Sequence, residues 1–172
     1  AEGSFNEPSL TADGSRVILV REDPQAGSDL WSLDFSRGSL SRLTFYGGEG
    51  WSPIVSPDST RVVYSLTRFG SGHGDLFVSS TSGTGKPESK WKSPETKFPT
   101  DWSPDGRTIL VDVMTPKHRR DIWAVSMVGD PVPLALLQTP FEESSGIFSP
   151  DGKFFAYDSD ETGRVEIYVQ RF

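Results

Sequence analysis

Two histidines, His73 and His118, are all the imidazole this sequence holds. Serine hydrolysis needs a nucleophile, a base and an orienting acid. No Gly-x-Ser-x-Gly elbow occurs, and His73 falls in Gly70-Ser71-Gly72-His73-Gly74, which reads first as a loop between strands. Gly83-Thr84-Gly85-Lys86 suggests a phosphate loop. The first glycine of that motif is replaced by Ser80, however, and Pro87 stands where a hydroxyl residue is needed. That stretch reads as a linker.

The carboxylates are more numerous. Asp158, Asp160 and Glu161 lie together and read as a solvated turn ending at Gly163; a hard cation held with carbonyl help is the alternative. Asp29, Asp75, Asp121 and Glu166 recur at a fixed interval. A catalytic acid occurs once, so this fourfold set is read as architectural, accepting backbone N–H bonds. Asp101 and Asp112 break the repeat and are the only candidates for a glycosidase-type carboxylate pair. A basic run, Lys117, His118, Arg119 and Arg120, reads as a solvated loop or as a surface for an anionic partner. Catalytic residues, cofactors and metal ligands are therefore not assigned.

These groups sit on a repeated frame. Trp102-Ser103-Pro104-Asp105-Gly106 returns as Phe148-Ser149-Pro150-Asp151-Gly152, as Val55-Ser56-Pro57-Asp58-Ser59, and as Leu10-Thr11-Ala12-Asp13-Gly14. Proline presets the first corner of a type I turn, and the glycine takes the left-handed position that closes a bulged hairpin. The turn aspartates are spaced by 45, 47 and 46 residues. An acid-aliphatic-aromatic marker, Asp29-Leu30-Trp31, Asp75-Leu76-Phe77, Asp121-Ile122-Trp123 and Glu166-Ile167-Tyr168, keeps steps of 46, 46 and 45. Two independent markers on one period predict internal repeats. Periods in the forties with four short strands each mean propeller blades.

The expected fold is all-β, with four repeats of about 46 residues forming four-stranded antiparallel blades at 8–45, 51–93, 99–138 and 146–172. Strands A to D follow in each blade, and the last blade lacks its D strand, which gives fifteen strands. Both alternate faces of the C strands are apolar, as blades sandwiched between neighbours require. A net charge of −7 argues against a nucleic-acid surface. Absence of cysteine removes disulfides, thiol catalysis and cysteine-type zinc sites. No apolar run approaches the ~18 residues of a membrane span, and no signal peptide is read. The sequence opens on Ala1 rather than Met, as expected of a mature form or a cut piece.

On these residues the chain resembles the WD-like repeats of TolB-type β-propellers, from about Pro8 to Phe172. The stretch from Thr139-Pro140-Phe141 through the fourth Ser-Pro-Asp-Gly unit to Phe172 is similar to the C-terminal propeller segments of bacterial membrane-anchored serine/threonine kinases. The resemblance implies a non-catalytic interaction, sensor or scaffold module outside the cytoplasm, in the periplasm, that binds a protein or peptide. It also implies an alternative: an accessory propeller of a peptidase or glycosidase whose catalytic domain is absent from this chain. A half-propeller completed by a second copy is a third reading. Assembly between chains is preferred there, and closure within one chain by Ala1 to Phe5 is the alternative.

Strand alternation puts the near-identical A–B turns on one face and the irregular B–C and D–A connections on the other. Aromatics and arginines anchor protein interfaces, and the irregular face carries Phe45, Tyr46, Arg68, Phe69, Phe98, Lys117, Arg119, Arg120 and Phe141. Tyr46, Phe69 and Arg119 are read as exposed contacts, whereas Phe98 and Phe141 serve equally well as plugs between blades. Ser59 stands where the other turns have glycine, so Ser59→Gly is expected to stabilise by about 0.5–1 kcal/mol.

Overall fold

The computed structural model describes residues 4–23, 27–45, 48–68, 72–115 and 119–172, excepting the side chain of Arg68. Those residues form fifteen strands and no helix. The first sheet holds β1 (Ser4–Leu10), β2 (Arg16–Asp23), β3 (Gly27–Asp34) and β4 (Ser39–Arg42). The second holds β5 (Gly48–Val55), β6 (Arg61–Arg68), β7 (Gly74–Ser80) and β8 (Glu88–Trp91). The third holds β9 (Thr96–Trp102), β10 (Thr108–Thr115), β11 (Arg119–Ser126) and β12 (Pro133–Leu137). The fourth has three strands: β13 (Glu143–Phe148), β14 (Phe154–Ser159) and β15 (Glu166–Arg171). Every sheet is an antiparallel meander, and one parallel pair, Ser28 with Glu49, joins the first to the second.

The turn that opens each sheet is held by its side chains. Asp58 Oδ1 accepts the Ser56 hydroxyl at 2.6 Å and the Thr60 N–H at 3.0 Å, while Ser56 Oγ accepts the Arg61 N–H at 3.0 Å. Asp13, Asp105 and Asp151 repeat this pattern. Each aspartate bridges the residue two before it to the residue two after. These donors, the side-chain hydroxyl first, hold the carboxyls of Asp13, Asp58 and Asp151 at about 2. Gly14, Ser59, Gly106 and Gly152 all take φ between 62° and 69°, the left-handed value that the turn register predicts.

The sheets stack face to face around a common axis. Contacts run from β1 to β5 to β9 to β13, with no comparable return from β13 to β1 among the described residues. All four of these strands line one axial depression of about 350 Å³. Each carries a register shift, and Glu7, Ser52 and Ser145 take left-handed φ there. The bulge disguises the period-two pattern, so each A strand starts three or four residues before its apparent start. Ser4 and Phe5 pair with Glu22 and Arg21 inside β1, so they do not lie on β15 as ring closure would require.

Alternation decides the packing. Ile18, Val20 and Leu30 face forward onto Val62, Tyr64 and Phe77 of the second sheet. Val63, Leu76 and Val78 face forward onto Trp102, Ile109, Val111 and Val125 of the third. Leu110 and Ile122 face forward onto Phe148, Phe155 and Tyr157 of the fourth. Polar staples run beside these contacts at the A strands. Ser9 Oγ accepts the Val55 N–H at 3.0 Å, Ile54 O accepts the Trp102 indole N–H at 2.9 Å, and Asp101 Oδ2 accepts the Phe148 N–H at 2.8 Å.

Ser59 also bridges two sheets, because its hydroxyl accepts the Ala12 N–H at 2.9 Å. Glycine at 59 relieves the left-handed cost of about 1 kcal/mol but removes this bond, so the gain expected from the sequence alone is offset. Ser59→Gly should melt within about two degrees of the parent, and Ser59→Ala, which keeps the strain and loses the bond, about 1 kcal/mol below the glycine variant. Thermal denaturation of the pair reads this difference directly.

Candidate functional site

The face built from B–C and D–A connections carries a cleft of about 640 Å³. Gly72, Pro94, Glu95, Thr96, Met114, Thr115, Arg119, Arg120 and Glu142 line it. Strands β9, β10 and β11 set its floor by pairing Thr96 with Met114, Met114 with Arg120 and Thr115 with Arg119. Arg119 takes φ 57°, and its side chain is 77% exposed. Its Nη1 lies 3.3 Å from Glu142 Oε2. Arg120 reaches Glu142 Oε1 and Asp112 Oδ2, each at 4.0 Å, with its guanidinium 5.8 Å from the Phe98 ring centroid. Two guanidiniums thus share Glu142 at the rim, leaving N–H donors directed to solvent beside the half-exposed Met114. Such a surface suits a carboxylate or a row of backbone carbonyls next to an apolar side chain.

Next to the lining residues Glu95 and Thr96 lies Lys97, which is fully buried. Its ammonium donates to Gly74 O at 3.3 Å, to Ser93 O at 3.0 Å and to Glu95 O, and stands 3.6 Å from Asp75 Oδ1. Burial pulls its pKa below the usual lysine value, and Asp75 opposes that shift. Lys97 therefore ties the rim segment 93–95 to the start of β7. Sequence reasoning missed it. The third blade was expected to start at residue 99, which left Lys97 in a connection.

The recurring acids need correcting. Asp29 accepts from Thr44 Oγ1 at 2.9 Å and from Arg42, Asp75 faces Lys97, and Glu166 accepts from Thr162 Oγ1 at 2.8 Å and Arg164 Nε at 2.9 Å. Among the described residues, the partners of these three are side chains, where backbone N–H groups were expected. The two acids that break the repeat serve the backbone instead. Asp101 accepts the Trp102 and Phe148 N–H groups, and Asp112 accepts that of Ser145 at 3.0 Å. Asp160 Oδ1 accepts the Glu142 N–H at 2.9 Å, and no group of three metal-ligating side chains is assembled among the described residues.

Of the nine residues singled out on this face, Arg119 and Arg120 line the cleft, and Phe98 lies against the Arg120 guanidinium. Phe141 precedes Glu142 at the rim and is exposed. Phe45 is exposed at the first sheet, under the Arg42 guanidinium at 4.8 Å, away from the cleft. Arg68 ends β6 with its side chain outside the described set, and Tyr46, Phe69 and Lys117 lie outside the described residues.

The arrangement was compared with known proteins. No family model and no curated protein matches the sequence. Solved structures do match. A TolB-type protein of Agrobacterium tumefaciens superimposes with a TM-score of 0.85 at 21% identity, over 99% of this chain and 59% of its own. TolB from Acinetobacter baumannii gives 0.76 at 17% identity, over 98% of this chain and 41% of its own. The β-propeller domain of the Trilobed protease from Pyrococcus furiosus gives 0.71 at 10% identity, over 100% and 56%. The fold is a β-propeller. This chain spans less than two thirds of the length of each of these three proteins.

Burial raises the Asp112 carboxyl to about 6, with nearby Asp158 adding to the shift. A folded pKa above the unfolded value of ~3.9 means the native state binds the extra proton between these pH values. Stability should therefore rise as pH falls from 6 to 4, then decline as the turn aspartates protonate towards pH 2. Asp112→Asn, which still accepts the Ser145 N–H, should flatten the limb between pH 6 and 4 in a melting series. Lys97→Met leaves three carbonyls and Asp75 without their partner, and should destabilise by about 2–4 kcal/mol in denaturant titration.

Proposed function

We propose that this propeller module is a non-catalytic protein- or peptide-binding unit, acting outside the cytoplasm and engaging its partner through the cleft at Arg119, Arg120 and Met114. The observation that carries the reading is the rim itself: two arginines sharing Glu142 above Phe98, beside exposed Met114. Arginine and methionine next to a half-buried aromatic are the usual anchors of protein interfaces. The opposite face offers less, because its turn serines and aspartates are already bonded to one another. The likeness to TolB structures and the resemblance to kinase-attached propellers support an extracytoplasmic sensor or scaffold role. No helix among the described residues is long and apolar enough to cross a membrane.

The match to the Trilobed protease propeller favours a second reading, an accessory propeller beside a separate hydrolase domain. Both readings use the same cleft for a peptide.

Selection of peptides from a random displayed library against the whole chain tests the site. The peptides enriched should carry an acidic group beside a large apolar side chain. Arg119→Ala combined with Met114→Ser should abolish their binding with the melting temperature nearly unchanged, since exposed substitutions cost about 0.5 kcal/mol or less. Peptides that bind the double variant undiminished, and are lost with Lys153→Ala on the turn face, would put the site on the other side.

A further inference from the structure

The junction of the second and third sheets holds a cation of its own. Fully buried Lys97 sets its ammonium 3.6 Å from Asp75 Oδ1 and on the carbonyls of Gly74, Ser93 and Glu95. Strand register fixes the equivalent residues one sheet further on. Lys97 lies six residues before Ser103 of its turn and pairs with Val113; Glu143 lies six before Ser149 and pairs with Ser159. Asp75 and Asp121 each precede a buried, forward-facing aliphatic, Leu76 and Ile122. Where the second junction sets an ammonium opposite a carboxylate, the third therefore sets Glu143 opposite Asp121.

Both acids lie inside the molecule, Glu143 at 2% and Asp121 at 0% exposure. The Thr139 hydroxyl donates to Glu143 Oε1, whereas Glu143 Oε2 has no hydrogen-bond partner among the described residues. Burial pushes the Glu143 carboxyl above the usual carboxylate range. The Thr139 bond opposes that shift, and Asp121 and Asp160 add to it, so both acids lie within electrostatic reach. A buried carboxylate oxygen without a donor is costly and calls for a positive partner. The carbonyls that hold Lys97 come from the residues four and two before it and from the residue before Asp75. Thr139, Phe141 and Arg120 occupy those same offsets around Glu143 and Asp121. Carboxylates and carbonyls together are the ligands a hard cation takes.

We propose that a divalent cation of the calcium type binds between Glu143 and Asp121, in the place that the Lys97 ammonium takes one junction earlier. Two carboxylates match a double charge as the single Asp75 matches an ammonium. Asp160, whose Oδ1 accepts the Glu142 N–H at 2.9 Å, adds negative field from behind. The ion ties the rim segment 139–142 to the head of β11, as Lys97 ties 93–95 to β7.

Calorimetric titration of the whole, chelator-treated chain with calcium chloride at constant ionic strength tests this. One ion should bind per chain, with Kd of about 0.1–1 mM because two carboxylates are few for calcium. The melting temperature should rise with its concentration. Glu143→Gln keeps an acceptor for Thr139 and should weaken calcium binding at least about tenfold, as should Asp121→Asn. Glu143→Lys supplies the ammonium from within, so its melting temperature should not respond to calcium. If that larger side chain prevents folding, the Gln and Asn variants decide alone. A parent chain that binds no calcium in the millimolar range overturns the proposal. So does a Glu143→Gln chain that binds it as the parent does, which would move the ion to Asp158, Asp160 and Glu161.

Discussion

Burial of both faces of each sheet is the constraint on which the rest of this structure depends. A strand sends successive side chains to opposite faces, so a blade between two neighbours must present apolar residues on both faces of its central strands. In β10 the run Ile109, Leu110, Val111 meets that demand, with Leu110 facing the fourth sheet and its two neighbours facing the second. Burying one such side chain contributes roughly 1.5–3 kcal/mol, so the stack outweighs any single hydrogen bond in the turns. A one-residue slip in any strand would exchange its two faces and leave leucine opposite leucine where aromatic surface belongs. The tight turns matter because they prevent that slip.

Those turns are also why so much of the fold was legible. Proline, aspartate and glycine at fixed offsets determine a hairpin by local chemistry, and local chemistry can be read without knowing the neighbours. The left-handed φ of Ser59 was foreseeable for that reason. Its bond to Ala12 was not, since the two residues meet only after the sheets stack. The A-strand starts were obscured by the bulges at Glu7, Ser52 and Ser145, where the period of two is interrupted. Lys97 was missed because the bulge hid the first residues of β9, so that a lysine before residue 99 read as solvated connection, whereas three carbonyls and Asp75 replace the water.

The cleft shows the same division. Arg119, Arg120 and Phe98 could be assigned to one face from strand direction alone. Their grouping with Met114 and Glu142 required the third and fourth sheets to be placed side by side. The acids went the other way. Asp101 and Asp112 stood out in the sequence because they break the repeat, and that break reflects junctions between sheets: each receives an N–H from the A strand of the following sheet. Departure from a repeat marks a place where neighbours differ, and chemistry is only one cause of such a difference.

The stacking of one sheet on the next decides how the molecule shares out its stability. In a stack whose units touch only adjacent units, stability is a sum of local terms and nearest-neighbour terms. The second and third sheets have a packed neighbour on both faces and collect two such terms each. The amides of β6 and β10 therefore open at the highest free energy, and the rate at which solvent exchanges them reports the strength of the junctions on either side.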